Sequence, residues 1–483
     1  MTQSIQEGRS GAVSSAVAVP HWITDGGLCR ATLRLAIPTL GTMLLHNLFH
    51  LVDMYFLGIL GSTAVAAVGM SGPALNLVYV VVMGVTTGCT ALVAQAMGSG
   101  VRERAQYVAG QSLLTAGVLS LTVAAFGVPL AGRFLEALGA ETAVVAAGTP
   151  YLRILSGFSF ALILSITFSS AIRGAGDAKT PLKVMGAAAV LNIALDPMMI
   201  FGHPWLPWLP AMGVTGSAVA TALSQLLAMC WLAWLFFVKG HEHFYLNLGH
   251  LRPRLDIIKQ VFRIGVFSSG QGLIRSLASV ALVWIVAKFG KSTMAAFTIG
   301  LRLWMLVLMI GIAFGIAAAT MVGQNLGAHK PDRAARAGWV TAGLAAALSL
   351  LVAAAFLVWN EQLVRVFNSE PAVVAAGSEF LRWLAAAMAF LTVSVVLSRA
   401  MSGAGDTFLP MLVTAVTMLG LGLPLAFGLA RAWNSVTGVW VAIMTYTIIH
   451  GVLIAATFWW GRWKAVGRGF IDAAALAAVA AEE

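Results

Sequence analysis

The chain has 483 residues, of which 59% are apolar and only 10% are charged, and its formal net charge is +11. A globular protein carries about 25% charged residues, so this composition excludes a cytosolic enzyme, a secreted disulfide scaffold and a disordered regulator. The basic residues stand in short gaps between long apolar runs, which is typical of a polytopic membrane protein and argues against binding of nucleic acid. The cysteines Cys29, Cys89 and Cys230 are too scattered for a disulfide framework or a zinc site, and we expect them to be small apolar fillers in helices.

Twelve apolar runs are long enough to cross a membrane, since a spanning helix needs about 20 mainly apolar residues. In chain order the predicted spans cover roughly 31–58, 65–96, 106–132, 143–172, 181–202, 212–238, 257–287, 293–324, 335–360, 373–399, 410–430 and 436–461. Several spans are longer than a bilayer requires, which predicts tilt or extensions beyond the hydrocarbon. The first 25 residues are polar and rich in serine and lack the pattern of a signal peptide, so we interpret them as a cytoplasmic tail.

The distribution of Lys and Arg predicts the orientation of the chain. With the N-terminus inside, the inner segments hold 20 of these residues, among them Arg9, Arg173 and Arg399, and the outer loops hold five. This asymmetry predicts that both termini lie in the cytoplasm. We expect the protein to reside in the inner cell membrane. The predicted divisions are an N-terminal tail (1–30), a first lobe (31–240), an inter-lobe linker (241–256), a second lobe (257–463) and a C-terminal tail (464–483).

The two halves of the chain form an internal repeat at one constant offset in residue number. At that offset Gln95 aligns with Gln324, and the tetrapeptide GAGD at 174–177 aligns with the same tetrapeptide at 403–406. The register slips later in the repeat, because the first half has a longer loop, HPWLPWLPA at 203–211. Each half contains six predicted spans, an even number, so the repeats run the same way through the membrane around an axis along its normal. The predicted fold class is therefore all-α, with twelve transmembrane helices in two six-helix lobes related by pseudo-two-fold symmetry.

Parallel repeats of this kind are typical of secondary transporters, which bind their substrate between or within the halves. A duplicated bundle could instead be a channel or a scaffold. The sequence GKS at 290–292 is not a phosphate-binding loop, since Ile285 stands where such a loop needs glycine. Transport without an ATP site must draw on an ion gradient or on facilitated diffusion.

Two carboxylates, Asp53 and Asp196, lie well inside the predicted spans, whereas nearly all other acidic residues lie in tails, loops or span ends. A charged side chain inside the membrane costs about 2.5–3.5 kcal/mol on insertion scales, so it indicates a functional site. Counting residues from the outer ends of the spans places Asp53, Asp196 and Thr221 at nearly the same depth, roughly 9–13 Å below the outer boundary. Asn192 lies one helical turn before Asp196 on the same face. These four residues form the predicted site for a small hard cation or a shared proton.

Further polar residues of the first lobe flank these carboxylates. Pro197 follows Asp196 directly and removes a backbone hydrogen bond of the helix, so we interpret it as a functional hinge, although a passive kink would have the same sequence. His46 and His50 lie on the same face of the first helix as Asp53. They are candidates for a proton or substrate role, and the alternative is a polar stripe that holds Asp53 by hydrogen bonds.

The second half carries no carboxylate of this kind. Leu282 stands where the first half has Asp53, and the seventh span has Gln271 and Arg275 but no acid. Arg275 is near mid-span and should face a cavity or a partner, because lipid exposure would be costly. We expect Arg302 in the eighth span to share that cavity. The predicted substrate cavity is therefore lined by His46, His50, Gln271, Arg275 and Arg302, with ion coupling assigned to the first lobe.

The ordered set of motifs resembles the multidrug and toxic compound extrusion (MATE) family over about residues 30–463. The motifs are VDMYFLGILG (52–61), LVAQAMGSGVRERA (92–105), RGAGDAKTP (173–181), LNIALDPMMIFG (191–202), VGQNLGAHKPDRA (322–334) and SGAGDTFLP (402–410). The resemblance implies two lobes around a V-shaped cleft, and export of amphipathic, often cationic compounds in exchange for H+ or Na+. It also implies that Asp53, Asn192, Asp196 and Thr221 form the cation site of the first lobe. The chain lacks the seventh-span Glu of the NorM-type branch, so it is more similar to the DinF-like branch.

We therefore expect a secondary exporter that works by alternating access, and not an enzyme. Its expected partners are an amphipathic small molecule and membrane lipid, with H+ or Na+ as coupling ion, no cofactor, no other metal and no nucleic acid. We expect it to act as a monomer. The alternative is a flippase for lipid-linked precursors of the same superfamily, in which Arg275 and Arg302 would hold a phosphate.

Overall fold

The computed structural model describes residues 21–202, 210–242 and 244–469. The predictions for the N-terminal tail up to residue 20, including Arg9, for most of the loop HPWLPWLPA and for residues 470–483 lie outside the described residues. Within the described ranges every regular element is a helix. The α-helices are α1 (His21–Thr24), α2 (Leu28–Leu60), α3 (Ser62–Gly98), α4 (Arg102–Ala137), α5 (Thr142–Gly157), α6 (Ser159–Gly174), α7 (Lys179–Phe201), α8 (Val214–Trp234), α9 (Leu255–Ala287), α10 (Lys291–Gly327), α11 (Pro331–Val358), α12 (Asn360–Arg365), α13 (Pro371–Gly403), α14 (Phe408–Ala415), α15 (Leu423–Ala432) and α16 (Thr437–Trp460).

The helices account for all twelve predicted spans. Among the described residues, eleven helical stretches are long and apolar enough to cross a membrane, and the bent pair α5 and α6 supplies the twelfth. Two of the eleven include a π-helical turn, which is Leu235–Lys239 after α8 and Val416–Gly422 between α14 and α15. The predicted all-α, twelve-helix fold class is therefore confirmed.

The fourth span is broken, which its hydropathy did not indicate. Helices α5 and α6 meet at Phe158 at an angle of 46°. The break follows Ser156 and Gly157, and sharp bends are common at such pairs of small residues. Helix α4 packs closely there, because a Cβ atom at Gly127 would lie 2.6 Å from the Ser156 hydroxyl oxygen. The bend thus lies at a tight contact between neighbouring helices.

Each lobe buries the beginning of its first helix in the other lobe. We call α2–α8 the N-lobe and α9–α16 the C-lobe. Ala31 and Leu35 of α2 belong to a core formed with α10, α11, α13 and α16. Val261 and Ile264 of α9 belong to the corresponding core formed with α3, α4, α6 and α8. Helices α2 and α9 therefore hold the two lobes together by packing.

The lobes join at the membrane face where α3 and α10 end, which we call the closed end. Gln95 Nε2 donates a hydrogen bond to the Gly403 carbonyl oxygen at 3.0 Å. Its repeat counterpart, Gln324 Nε2, donates to the Gly174 carbonyl oxygen at 2.9 Å. The internal repeat thus produces a reciprocal pair of hydrogen bonds across the lobe boundary.

The hydrogen bonds between the lobes are confined to one side of the molecule. Those of the described residues extend from the closed end to about the middle of the helices. Among them Ser269 Oγ donates to the Val80 carbonyl oxygen at 3.0 Å. The one that lies farthest along α2 joins Asn47 Nδ2 to the Met309 sulfur at 3.3 Å. Among the described residues no hydrogen bond joins the lobes beyond this level, and we call the membrane face on that side the open face.

The turn between α6 and α7, at the closed end, is held by the carboxylate of Asp177. That carboxylate accepts hydrogen bonds from His241 Nε2 at 3.1 Å, from the Lys179 and Thr180 backbone N–H groups at 2.8 and 3.1 Å, and from the Thr180 hydroxyl group. Burial raises the pKa of Asp177, but these hydrogen bonds outweigh it and hold the pKa of that carboxyl well below its usual range. An ionised Asp177 thus ties the segment after α8 to the N-lobe.

Replacing Asp177 with asparagine should lower the thermal stability of the purified protein at pH 7, by about 1–2 kcal/mol for the lost charge-assisted hydrogen bonds. Because the folded-state pKa lies below the unfolded value of about 4, this contribution is complete above that pH. It is lost as the pH falls through the folded-state pKa, so the gap between wild type and Asp177→Asn should narrow in acid. Thermal unfolding in detergent measures this difference in stability between wild type and Asp177→Asn. Asp332→Asn is the control, since Asp332 is 89% exposed in its ion pair with Lys464 and should have little effect. Equal stability of Asp177→Asn and wild type at pH 7 would contradict the assignment.

Candidate functional site

The N-lobe encloses a cavity of about 410 Å³ between α2, α3, α4, α5, α6 and α8, which we call the N-lobe cavity. Most of its wall is apolar, formed by Leu, Val, Ala and Phe side chains. The polar side chains that bear on ion or proton binding are His46, His50, Asp53, Tyr79, Tyr151, Thr221 and Gln225. The cavity is therefore an apolar chamber with a small number of titratable groups in its wall.

Asp53 of α2 lies in this wall, and its side chain is buried. Its Oδ1 accepts a hydrogen bond from the Ser217 hydroxyl group of α8. Ser217 lies one turn before Thr221, which lines the same cavity. None of the ion pairs among the described residues involves Asp53. A single neutral donor is thus the protein partner of this carboxyl group.

Asp196 and Asn192 lie one turn apart on α7, and both side chains are buried. Neither the carboxyl oxygens of Asp196 nor the amide atoms of Asn192 have a hydrogen-bond partner among the described protein atoms. The Asp53 carboxyl group and the Tyr151 hydroxyl group lie within electrostatic range of Asp196. The structure therefore brings Asp53, Asn192 and Asp196 together on neighbouring helices, with Thr221 on the adjoining cavity wall.

This grouping has the chemistry of a proton or alkali-cation site. Carboxyl and amide oxygens are hard ligands, and Asp196 and Asn192 have lone pairs that no described protein donor uses. Two carboxyl groups near each other also favour a shared proton over two negative charges. Among the described residues there is no group of three or more His, Cys, Asp or Glu that could hold a metal ion. The donor set thus fits H+ or Na+.

The two predicted histidines form a hydrogen-bonded chain beside Asp53. His50 Nε2 and His46 Nε2 are 3.2 Å apart, and the Tyr79 hydroxyl oxygen is 3.3 Å from His46 Nε2. All of these side chains line the N-lobe cavity, as Asp53 does. Neither histidine is hydrogen-bonded to Asp53, so they do not hold that carboxyl group directly.

Pro197 lies inside α7, which stays helical from Lys179 to Phe201. The chain thus continues for a further turn beyond the proline without a break. The role of Pro197 as a hinge remains a prediction.

The C-lobe contains a separate cavity of about 270 Å³ around Arg275, which we call the C-lobe cavity. Its polar wall includes Ser394, Tyr446 and His450. His450 Nδ1 is 2.9 Å from the Thr417 hydroxyl oxygen, in the π-helical turn between α14 and α15. Arg275 thus faces a cavity, as its position near mid-span predicted.

Two residues predicted for this cavity do not line it. Arg302 is exposed, because the cavity-facing side of α10 carries Leu301, Trp304 and Leu308, and Arg302 points about 100° away from Leu301. Gln271 lies one turn before Arg275 but donates a hydrogen bond to the Thr414 hydroxyl group at 2.9 Å, so it joins α9 to α14. The correction for Arg302 concerns the rotation of a helix about its own axis, which hydropathy does not specify. Gln271 lies on the same face of α9 as Arg275 but one turn away along the helix, where it meets α14 instead of the cavity.

One protein family accounts for most of the chain. The MatE family model matches residues 38–198 and residues 268–427, which together make up well over half of the sequence. The chain belongs to the MatE family. The second matched segment begins and ends at nearly the repeat counterparts of the first, so each repeat of this MATE protein is matched once.

Curated relatives and solved structures agree with this assignment. The probable multidrug resistance protein NorM of Thermotoga maritima is 28% identical over 437 residues, 89% of this chain and 92% of that protein. The FAD transporter of Shewanella oneidensis is 24% identical over 434 residues, 89% of this chain and 94% of that protein. A crystal structure of MATE in complex with MaL6 has 25% sequence identity to this chain and a TM-score of 0.84. The match covers 92% of this chain and 99% of the chain in that structure. An outward-facing MATE family transporter has the same fold, with a TM-score of 0.84. This MATE protein is thus a multi-pass membrane transporter.

Three side chains at the carboxylates of this MATE protein were not predicted from the sequence. Ser217 donates to Asp53, Tyr151 lies within range of both Asp53 and Asp196, and Tyr79 extends the histidine chain. Only Ser217 had a usable signal, because it lies one turn before the predicted ligand Thr221 in the motif GVTGSAVAT. The tyrosines lie on α3 and α5, whose neighbours could not be inferred from hydropathy.

Proposed function

We propose that the chain is a secondary exporter that exchanges H+ or Na+ for amphipathic drugs or metabolites by alternating access. The observation that carries this proposal is the pair of buried carboxyl groups, Asp53 and Asp196, which form no ion pair with a described residue and of which Asp53 lines a chamber of about 410 Å³. Chambers of about 300–1,000 Å³ accommodate drug-sized molecules. Ion binding and substrate binding are therefore assigned to the same lobe.

The need for a bound coupling ion follows from the cost of burying charge. An ionised carboxylate without a partner in a low-dielectric interior is unfavourable, and a proton or a bound Na+ removes that cost. Asp53, Asn192, Asp196 and Thr221 are the proposed cation site. Ion binding from the open face would change the charge of the N-lobe and with it the preference of the cavity for substrate.

Helix α2 offers a route by which the ion site can act on the closed end. Asp53 lies in its second half, whereas Ala31 and Leu35 in its first turns belong to the C-lobe core. A bend or shift of α2 near Asp53 would therefore move side chains that hold the lobes together. Reorientation of the lobes then exposes the cleft to the other membrane face.

The substrate class is supported by the names of the relatives. The T. maritima relative is named as a probable multidrug resistance protein and the S. oneidensis relative as a FAD transporter. A chamber with an apolar wall and a small number of polar groups suits amphipathic molecules of either kind. We therefore assign drugs or metabolites as substrates without choosing between them.

The proposed location is the inner cell membrane, with the closed end on the cytoplasmic side. Lys330, Arg333 and Lys464 lie at the closed end, as the excess of positive charge on cytoplasmic segments requires. The open cleft then faces outward. We assign the monomer as the working unit, because each chain contains both lobes and a complete cleft.

The flippase alternative rested on two arginines, Arg275 and Arg302. Arg302 is exposed and lies outside the C-lobe cavity, which leaves one of them in that cavity. The drug or metabolite exporter is therefore the function that the geometry supports best.

Dye efflux from proteoliposomes under separately imposed gradients tests the proposal. We expect export of a fluorescent amphipathic dye against its gradient with either a pH gradient or a Na+ gradient, and no export in protein-free liposomes. One charge that crosses 100 mV is worth about 2.3 kcal/mol, which supports roughly a fiftyfold concentration ratio. A protonophore or equal Na+ on both sides should abolish the accumulation. Ion conductance without dye movement would instead identify a channel and overturn the proposal.

A further inference from the structure

A second cavity lies between the lobes, on the closed-end side of the N-lobe cavity. It has a volume of about 270 Å³, and we call it the inter-lobe cavity. Side chains of α2, α3 and α6 form one side of it, and side chains of α10 and α13 form the other. His46, Tyr79 and Leu162 line both this cavity and the N-lobe cavity, so the two chambers adjoin at these residues.

Two arginines, Arg173 of α6 and Arg399 of α13, line the inter-lobe cavity from opposite lobes. No acidic side chain is among the described residues that line it. Arg173 Nε is buried without a hydrogen-bond partner, and Arg399 Nη1 donates to the Thr87 hydroxyl group at 2.9 Å. None of the ion pairs among the described residues involves either arginine. Two like charges without counter-ions in the interior of a membrane protein are costly, so the cavity favours an anion.

Each lobe contributes one arginine to the inter-lobe cavity, but the two arginines stand at different positions of the internal repeat. At the constant offset of the repeat, Ser170 corresponds to Arg399 and Arg173 corresponds to Ser402. All four side chains line the inter-lobe cavity. Each repeat thus presents one arginine and one serine to the same cavity. The serine comes first in α6, whereas the arginine comes first in α13. The cavity therefore receives one positive charge from each lobe, although the repeat positions differ.

The nearest acidic residues in the sequence are engaged elsewhere. Asp177 follows Arg173 by one turn, but its carboxylate is held by His241 and the start of α7. Asp406 accepts a hydrogen bond from the Leu409 backbone N–H and faces Arg462 electrostatically. Arg275 of the C-lobe cavity lies within electrostatic range of Arg399 and adds positive potential from the other side. The arginines of the inter-lobe cavity are thus not the partners of the acids beside them in sequence.

We propose that the inter-lobe cavity binds the anionic group, a phosphate, carboxylate or sulfonate, of an amphipathic substrate whose apolar body lies in the N-lobe cavity. This inference rests on the proposed export function and specifies its substrate class. A planar guanidinium group, as Arg173 and Arg399 each present to the cavity, is suited to binding the oxygens of such a group in a fork geometry. Ser169, which lines the cavity and has a buried hydroxyl group without a hydrogen-bond partner, can add a donor.

Equilibrium binding of a matched pair of probes tests this assignment. Naphthyl phosphate and naphthylmethyl-trimethylammonium share an apolar body and differ in charge. We expect wild type in zwitterionic nanodiscs to bind naphthyl phosphate at least about tenfold more tightly by calorimetry, after subtraction of binding to empty nanodiscs. Arg173→Gln and Arg399→Gln should each weaken phosphate binding by about tenfold or more. Arg302→Gln, which removes an exposed arginine outside the cavity, should leave it unchanged.

A charge-relocating variant separates a binding role from a folding role. Arg399→Ser combined with Ser402→Arg moves the arginine by one turn to a position that also lines the cavity. It should keep the preference for the phosphate probe, whereas Arg399→Ser alone should lose it. If the glutamine variants aggregate on size exclusion, this variant and wild type still decide the question. Equal binding of the two probes to wild type, or a loss of the same size in Arg302→Gln, would overturn the inference.

Lysophosphatidate in the nanodisc distinguishes a lipid source of the anion from a soluble one. If it displaces naphthyl phosphate, the site also takes lipid phosphates, and if it does not, soluble amphipathic anions are the substrates. These measurements use no ion gradient. Absence of gradient-driven efflux would therefore overturn the export function and leave the anion site intact, whereas absence of charge preference would overturn the anion site alone.

Discussion

Replacing Asp53 with asparagine is expected to abolish gradient-driven export and to leave the protein folded. Asn lacks the titratable group and the negative charge that would hold the coupling ion, but it keeps an oxygen that the Ser217 hydroxyl group can reach. A buried neutral amide also costs less than a buried carboxylate, so thermal stability should be unchanged or slightly higher. Dye efflux from proteoliposomes should fall to the rate of protein-free liposomes. Asp196→Asn should have the same effect, since the two carboxyl groups lie within electrostatic range of each other.

The control for this experiment is an acidic residue far from the N-lobe cavity. Asp256 is exposed in the first turn of α9, so Asp256→Asn should retain full export. Substrate binding at equilibrium should survive in Asp53→Asn, because that variant keeps the apolar wall of the cavity. Full gradient-driven efflux by Asp53→Asn would reject the coupling mechanism, whether or not the variant binds substrate as wild type does.

Alanine at Gly98 or Gly327 is expected to open the closed end and to reduce transport sharply. An added Cβ atom at Gly98 would overlap with the Gln324 carbonyl oxygen, and one at Gly327 would overlap with the Gln95 carbonyl oxygen. Both contacts are with backbone of the opposite lobe, so the clash cannot be relieved by a change of rotamer. Overpacking costs about 1–3 kcal/mol, so the closed-to-open ratio should fall by about fivefold to about a hundredfold or more. Because alternating access requires both states, export should fall with it.

The distance between spin labels across the closed end measures this shift. Labels at Glu103→Cys and Asp332→Cys occupy equivalent exposed positions of the two repeats, in a background without the native cysteines. Gly98→Ala and Gly327→Ala should move the distribution to longer distances. Gly343→Ala is the matched control, because Gly343 has no atom within 4 Å of an added Cβ atom, and alanine favours the helix there. An unchanged distribution in both closed-end variants would show that these glycines do not hold the lobes together.

The spans and the repeat could be predicted because their signals are local. Each apolar run reports its own preference for lipid over water, and no knowledge of its neighbours is needed. The repeat offset places Gln95 opposite Gln324 in an alignment, and the structure gives the two residues equivalent roles at the closed end. Because the rise per residue of a helix is constant, the sequence also predicts that Asp53 and Asp196 lie at a similar depth.

The rotation of each helix about its axis could not be predicted in the same way. Arg302 was assigned to a cavity that it does not line, and Arg173 and Arg399 were counted among positive residues of the inner segments, whereas both face the inter-lobe cavity. Hydropathy does not distinguish the lipid-facing side of a helix from its buried side, because lipid tails are as apolar as a protein core. Polar residues near the ends of spans are therefore ambiguous between the water boundary and an internal cavity.

The number of spans, their limits, the parallel repeat and the two intramembrane acids follow from composition and spacing along the chain. The grouping of Asp53 with Ser217 and Asp196, the break at Phe158, and the burial of the first turns of α2 and α9 in the opposite lobe follow from packing between distant segments. The physical reason is that the first set depends on single segments of the chain and the second on contacts between segments. Partition into a bilayer acts on each segment separately, whereas the facing of side chains is set by close contacts of small residues between helices that are far apart in sequence.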